Sequence, residues 1–193
     1  MMERWLAGTR GGEGMAPRRR RPTPIVAVSG PSGAGKTRLI TRLIRLLRRR
    51  GLSVAVLKHT DHRHGFDQPG KDTDLFRRAG AVAAAIQGPD GLALFAPPRS
   101  GARALAGLLP PSDLILAEGW REAPLPRLEV HRRAISPAFL CATDRRVFAV
   151  VSDEPPPRRV PAFDADRLGP LADLLVARFV RPGARRRLPA RAS

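Results

Sequence analysis

Eight consecutive residues, Gly30-Pro31-Ser32-Gly33-Ala34-Gly35-Lys36-Thr37, constrain this chain more than any other feature. They satisfy G-x-x-x-x-G-K-[ST] in full. They lie directly after the apolar run Ile25-Val26-Ala27-Val28-Ser29 and directly before a helical pattern. That strand–loop–helix context is what the phosphate-binding loop, or P-loop, requires. Gly30, Gly33 and Gly35 let the backbone curl around an anion without Cβ clashes. Successive N–H groups then point inward as a nest, and the helix that follows aims its positive end at the same place. Lys36 is expected to bridge the β and γ oxygens of a nucleoside triphosphate, and the Thr37 hydroxyl to ligate Mg²⁺.

The rest of the chain reads as strands alternating with helices. Residues 37–50 carry Leu39, Ile40, Leu43, Ile44 and Leu47 at helical spacing, with Arg38, Arg42, Arg45, Arg48, Arg49 and Arg50 opposite and Gly51 as C-cap. Residues 53–57 read as a second buried strand, and 72–79 as a helix stopped by Gly80. Strands over 81–86 and 92–95 flank the hairpin signal Gly88-Pro89-Asp90-Gly91. A short helix is expected over 102–109, strands over 114–117, 127–131 and 147–151, and a closing amphipathic helix over 168–180. This order predicts an α/β fold of the P-loop NTPase type: a doubly wound, mostly parallel sheet with helices on both faces. Ligands of such sheets bind beyond the carboxyl ends of the strands. Ser29-Gly30, Lys58-His59 and Glu118-Gly119 each sit at such an end, so one architecture brings three polar clusters together.

Charge qualifies this picture. The net charge of +18 invites a nucleic-acid partner, yet residues 1–24 and 181–193 contribute half of it. Both stretches mix Arg runs with Pro and Gly, the composition of solvated ends. We therefore expect a basic, disordered extension over 1–23 (with 1–14 preceding Met15), a nucleotide-binding domain over 24–180 and a disordered Arg-rich tail over 181–193. Specific nucleic-acid binding is not expected. Only three of the 35 basic residues are lysines, Lys36, Lys58 and Lys71, all near the proposed active face. Lys is a compact point charge where Arg is a wide fork, so their survival in an Arg-rich chain hints at a role. The single cysteine, Cys141, forms no internal disulfide and fits a reducing cytosol. No apolar run reaches the roughly 20 residues that span a bilayer.

Glu118 ends an apolar strand beside the P-loop, the expected place for a carboxylate that holds Mg²⁺ or its waters. It could instead orient water or act as a base. The segment Lys58-His59-Thr60-Asp61-His62-Arg63-His64-Gly65-Phe66-Asp67 holds three of the four histidines. One reading is a transition-metal site, although the spacing matches no closed zinc pattern. The favoured reading is a switch-like loop at the mouth of the phosphate site, because it leaves a strand end beside the P-loop. There an Asp would bind Mg²⁺ or its water, and Lys58 or His59 would sense phosphate. Asp72 or Thr73 caps the helix that follows Lys71.

This ordered series of motifs resembles the MobB family of molybdopterin-guanine dinucleotide biosynthesis adaptor proteins. The motifs are the P-loop, Lys58-His59-Thr60 with His62 and Asp67, Pro69-Gly70-Lys71-Asp72-Thr73, Arg78-Ala79-Gly80-Ala81, Leu116-Ala117-Glu118-Gly119-Trp120 and Pro126-Arg127-Leu128-Glu129-Val130. The resemblance covers residues 24–180. It implies a GTP-binding, Mg²⁺-dependent protein of the bacterial cytoplasm, a slow GTPase and a homodimer. It further implies an accessory role when a partner guanylyltransferase attaches GMP to molybdopterin, with molybdopterin itself as a possible ligand. The candidate nucleotide-binding residues are Gly30, Ser32, Gly33, Ala34, Gly35, Lys36, Thr37, Arg38, Lys58, His59, Asp61 and Lys71. Lys36 and Glu118 are the candidate catalytic residues, and Thr37, Asp67 and Glu118 the candidate metal ligands. No Asn-Lys-x-Asp guanine motif is present, so guanine preference rests on the resemblance. The alternative from another class is a P-loop small-molecule or nucleotide kinase, which requires an acceptor and usually an Arg-bearing lid.

Overall fold

The computed structural model describes residues 22–60, 65–97 and 101–180. The two terminal segments expected to be disordered lie outside these residues for nearly their whole length, as do Asp61, His62 and His64. Six parallel strands form the main sheet in the order β2-β5-β1-β6-β7-β8. They are β1 (Ile25–Ser29), β2 (Val54–Lys58), β5 (Leu114–Glu118), β6 (Arg127–Val130), β7 (Val147–Val151) and β8 (Ala162–Phe163). Between β2 and β5 the chain forms α2 (Asp72–Arg78), then the separate antiparallel hairpin β3 (Ala84–Gly88) and β4 (Gly91–Phe95), then α3 (Ala102–Ala106). Helices α1 (Lys36–Arg49) and α4 (Gly169–Phe179) complete the fold.

The central strands are apolar throughout because both faces of the sheet are covered. Side chains alternate along each strand, and the two cores follow that alternation. Val26, Val28, Leu114, Leu116, Leu128 and Val130 face one way and pack against α1 and α4. There Leu43, Leu47, Leu171 and Leu175 are fully buried. Ile25, Ala27, Ile115 and Ala117 face the other way, against Ala102 and Leu105 of α3 and against Trp120 and Leu125. The doubly wound, mostly parallel sheet read from the sequence is the observed one. Helix α1 ends where Gly51 was expected to cap it. The Leu52 N–H donates to the Leu47 carbonyl and the Gly51 N–H to the Arg48 carbonyl, the paired bonds of a Schellman motif.

Three local expectations need correction. The strand expected from residue 81 begins at Ala84, because its partner β4 ends at Phe95 and leaves residues 81–83 nothing to pair with. Helix α3 stops at Ala106, where Gly107 caps it, and not at residue 109. Strand β8 and a 3-10 turn at Leu140–Ala142 were not anticipated, being two and three residues long.

Candidate nucleotide-binding site

The order β5-β1-β6 puts β1 at the centre of the sheet, so the loop after Ser29 opens at its carboxyl edge. Gly30 is required there by close approach. Its φ is +152°, and a Cβ at this position would stand 2.3 Å from the Val130 carbonyl oxygen of β6. The loop enters α1 through Gly35, and no side chain caps that helix terminus; its first turn holds no acid either. The N-terminal N–H groups and the positive end of a 14-residue helix are therefore left for an anion. The Lys36 ammonium folds back over the loop and donates to the Pro31 carbonyl at 2.7 Å. Burial pulls its pKa below the ordinary lysine value, helped by the Arg121 and Lys58 cations and opposed by Glu118.

Glu118 reaches this loop from β5. Parallel pairing sets it opposite Val28 on one side and Lys58 on the other. Its carboxylate accepts the Thr37 hydroxyl at 3.0 and 3.1 Å and stands 4.0 Å from the Lys58 ammonium. A hydroxyl and a carboxylate meeting at a phosphate loop are hard oxygen donors of the kind a Mg²⁺–phosphate complex uses. The strand ends are locked behind them. The His59 N–H donates to the Glu118 carbonyl, and a Cβ on Gly119 (φ +86°) would stand 2.3 Å from the His59 carbonyl oxygen. The His59 ring lies 5.0 Å from that of Trp120.

A cleft of about 810 Å³ joins these parts: Gly30, Ser32, Lys36, Lys58, His59 and Glu118 all line it, with the segment Gly119 to Ala123 as its far wall. The other expected loop residues, Gly33, Ala34, Gly35 and Arg38, line a second cleft of about 1020 Å³ on the opposite side of the P-loop, over the ends of β6, β7 and β8. Asp67 and Lys71 line neither. The Asp67 carboxylate accepts the Thr73 hydroxyl at 2.6 Å and an Arg77 N–H at 2.9 Å, which ties the approach to α2 onto that helix. Lys71, and not Asp72 or Thr73 as expected, is the N-cap residue of α2, and no side chain caps that helix. Among the described residues no group of three or more His, Cys, Asp or Glu gathers to hold a metal.

Sequence reasoning passed over Arg127. Its guanidinium is buried in β6, donating to the Ser29 hydroxyl at 3.0 Å and to the Arg121 and Ala123 carbonyls at 2.7 and 3.1 Å. It thus braces the last residue of β1 against the far wall of the phosphate cleft. Its sequence signals were a charge inside a strand and its place in Pro126-Arg127-Leu128-Glu129-Val130. Glu129 and His131 of the same segment are equally buried. Glu129 accepts the Leu140 and Cys141 N–H groups, and His131 pairs with Glu154 at 2.6 Å.

A profile of the family described as MobB, Molybdopterin guanine dinucleotide synthesis protein B, matches residues 25–153. The molybdopterin-guanine dinucleotide biosynthesis adapter protein of Escherichia coli strain K12 is 34% identical over 161 residues, spanning 79% of this chain and 91% of its own. The Haemophilus influenzae adapter protein is 30% identical over 156 residues, spanning 79% and 87%. The crystal structure of Bacillus subtilis MobB superposes with a TM-score of 0.59 at 27% identity, covering 82% of this chain and 98% of that one. Among the described residues no helix is long and apolar enough to cross a membrane.

Proposed function

Because the chain belongs to the MobB family of molybdopterin guanine dinucleotide synthesis proteins, we propose that it is a GTP-binding adapter with slow, Mg²⁺-dependent GTPase activity. In this reading it assists a guanylyltransferase that attaches GMP to molybdopterin, in the cytoplasm. The observation that carries the nucleotide part is the uncapped N-terminus of α1, where Thr37 meets Glu118 at 3.0 Å, beside the cleft that Lys36, Lys58 and Glu118 line. The backbone N–H groups of the loop hold the β-phosphate. Lys36 spreads its charge over the β and γ oxygens, and Thr37 and Glu118 hold Mg²⁺ or its waters. Mg²⁺ supplies neutralisation of the phosphate charge as it develops. In this reading turnover is a slow in-line attack of water until a partner completes the site.

The reading extends to a homodimer. Phe76 of α2, Val82 after it, and Ile86 and Leu92 of the β3–β4 hairpin are 59%, 88%, 54% and 72% exposed. Among the described residues the hairpin forms a two-stranded sheet of its own. Apolar side chains on a hairpin with unpaired edges favour a symmetric partner.

Calorimetric titration of GTP, ATP and CTP, each with and without Mg²⁺, tests the nucleotide reading. The expected result is tightest binding of GTP with Mg²⁺. Tight ATP binding beside weak GTP binding would overturn it.

A further inference from the structure

The far wall of the phosphate cleft carries a cation that the chemistry of the loop does not use. Arg121 lines this cleft together with Lys36 and Lys58. Its charge is felt at Lys36, where it helps burial to hold the ammonium pKa below the ordinary lysine value. The Arg121 side chain is exposed, and no acid among the described residues pairs with it. Glu118 is taken up by Thr37 and Lys58. Glu122, the other acid of the cleft, bears on Arg127 and Arg146. Three cations converging on one cleft repel one another, and a polyanion bound among them relieves that repulsion.

The backbone that carries Arg121 is held on both sides. Trp120 before it and Leu125 after it are buried in the core. The Arg121 N–H donates to the Gly119 carbonyl at 3.1 Å, and the Arg121 carbonyl accepts the buried Arg127 guanidinium at 2.7 Å. The same guanidinium reaches the Ala123 carbonyl and the Ser29 hydroxyl, one residue before the P-loop. Burying a charge is costly. Here it fixes the spacing between the phosphate loop and the turn across the cleft. Arg121 is thus anchored through its backbone, while its long side chain can close on what the loop holds.

We infer that Arg121 recognises the terminal phosphate of the bound triphosphate, donating N–H bonds to two γ-phosphoryl oxygens from the far wall of the cleft. This rests on the GTP-binding reading and gives it a residue that tells triphosphate from diphosphate. The loop N–H groups and the positive end of α1 favour the β-phosphate, which both nucleotides carry. A contact made across the cleft to γ oxygens alone exists only with the triphosphate. A planar guanidinium fork matches two oxygens of one phosphoryl group, where an ammonium is a point charge. In hydrolysis, attack of water forms a new P–O bond and breaks the β–γ bridge. GDP then remains without the group that Arg121 holds.

The test titrates the full chain with GTP and GDP in Mg²⁺, unmodified and as Arg121→Ala, Arg121→Lys and Arg45→Ala. Arg45 is an exposed cation of α1 that lines neither cleft, so its removal changes the net charge equally. The unmodified protein is expected to prefer GTP. Arg121→Ala should bind GTP about 10- to 100-fold more weakly, the loss of hydrogen bonds between charged groups, and GDP nearly as before. Arg121→Lys recovers part of the loss, and Arg45→Ala keeps the unmodified ratio. Without nucleotide, Arg121→Ala should melt no lower than the unmodified protein, because the wall is held through backbone carbonyls. Equal losses for GTP and GDP in Arg121→Ala overturn this assignment alone. So does unchanged GTP affinity, or the same loss in Arg45→Ala. An unmodified protein that prefers ATP overturns the GTP reading, and the ATP-to-ADP ratio then decides Arg121 by the same criteria. One that binds neither triphosphate overturns both.

Discussion

The Thr37 hydroxyl and the Glu118 carboxylate, 81 residues apart in sequence, meet at 3.0 Å. Thr37 is the second residue of α1 and Glu118 the last of β5. Parallel pairing of β5 with β1 sets Glu118 opposite Val28, directly under the loop that leads to Thr37. Lys36 and Lys58 share the field of the same carboxylate. Helix start, strand end and two of the three lysines are thus one electrostatic unit.

Lys36 illustrates a function held against stability. Burial lowers its pKa, so the folded chain binds a proton there less readily than the unfolded chain does. Charging the ammonium therefore costs stability at neutral pH, and the cost shrinks as pH rises past the lowered value and is gone above the ordinary lysine value. Lys36→Met is expected to melt at a higher temperature than the unmodified protein in the absence of nucleotide. The same variant should bind GTP about 10- to 100-fold more weakly, since a charge-assisted contact to phosphate is gone. Thermal melts and calorimetry read the two effects separately. Undiminished GTP affinity in a folded variant removes Lys36 from the phosphate site.

Glu118→Gln should act in two ways. The neutral amide is a poor Mg²⁺ partner, so the gain in GTP affinity on adding Mg²⁺ is expected to shrink while Mg²⁺-free binding changes little. Glu118 is also the group that raises the Lys36 pKa against burial. Its neutralisation moves the alkaline fall in GTP affinity, which follows loss of the Lys36 charge, to lower pH. Affinity measured from pH 6 to pH 10 with and without Mg²⁺ distinguishes the roles. A Mg²⁺ response equal to that of the unmodified protein removes Glu118 from the metal's surroundings.

The parts of this site that were legible in the sequence are those where chemistry abuts an apolar run. Lys58 and Glu118 each end a strand and Lys36 opens the helix after another, and in a doubly wound sheet strand ends share an edge. Asp67 was not legible in the same way. As a loop acid it reads as an available ligand, and only the fold reveals that Thr73 and Arg77 occupy it. Arg127, Glu129 and His131 were also opaque. Their partners come from Ser29 and Asp144, from Leu140 and Cys141, and from Glu154, and local pattern does not encode such pairings. Strand β8, with two residues, is too short to carry any periodicity.

Arg127 yields a stability prediction. Its Nε stands 3.0 Å from the Asp144 carboxylate, an ion pair without hydrogen-bond alignment, and its side chain is 3% exposed. Arg146 and its backbone hold the Asp144 carboxyl below the usual range, with Arg127 adding to that. Asp144→Asn leaves a buried guanidinium without its counter-charge and is expected to cost about 3 kcal/mol or more. Arg146→Gln removes an exposed partner and should cost under about 1 kcal/mol. The Asp144 contribution is present above the ordinary carboxylate pKa and is lost as pH falls through its lowered value. Urea denaturation at pH 7 and in acid should therefore show the gap between the unmodified protein and Asp144→Asn closing on acidification. A gap that stays constant with pH assigns the cost to packing.

The hairpin face predicts an assembly. Val82 and Leu92 are 88% and 72% exposed, and neither joins the three buried core clusters. If a second copy covers them, the double variant Val82→Lys, Leu92→Lys places like charges across a symmetric interface and opposes it. Light scattering on a sizing column should find a dimer for the unmodified chain and a monomer for the double variant. The double variant should still bind GTP and Mg²⁺, because the P-loop and Glu118 lie on the main sheet and not on the hairpin. A double variant that remains dimeric places the interface on another face, whereas one that becomes monomeric and also loses GTP shows that the partner copy completes the nucleotide site.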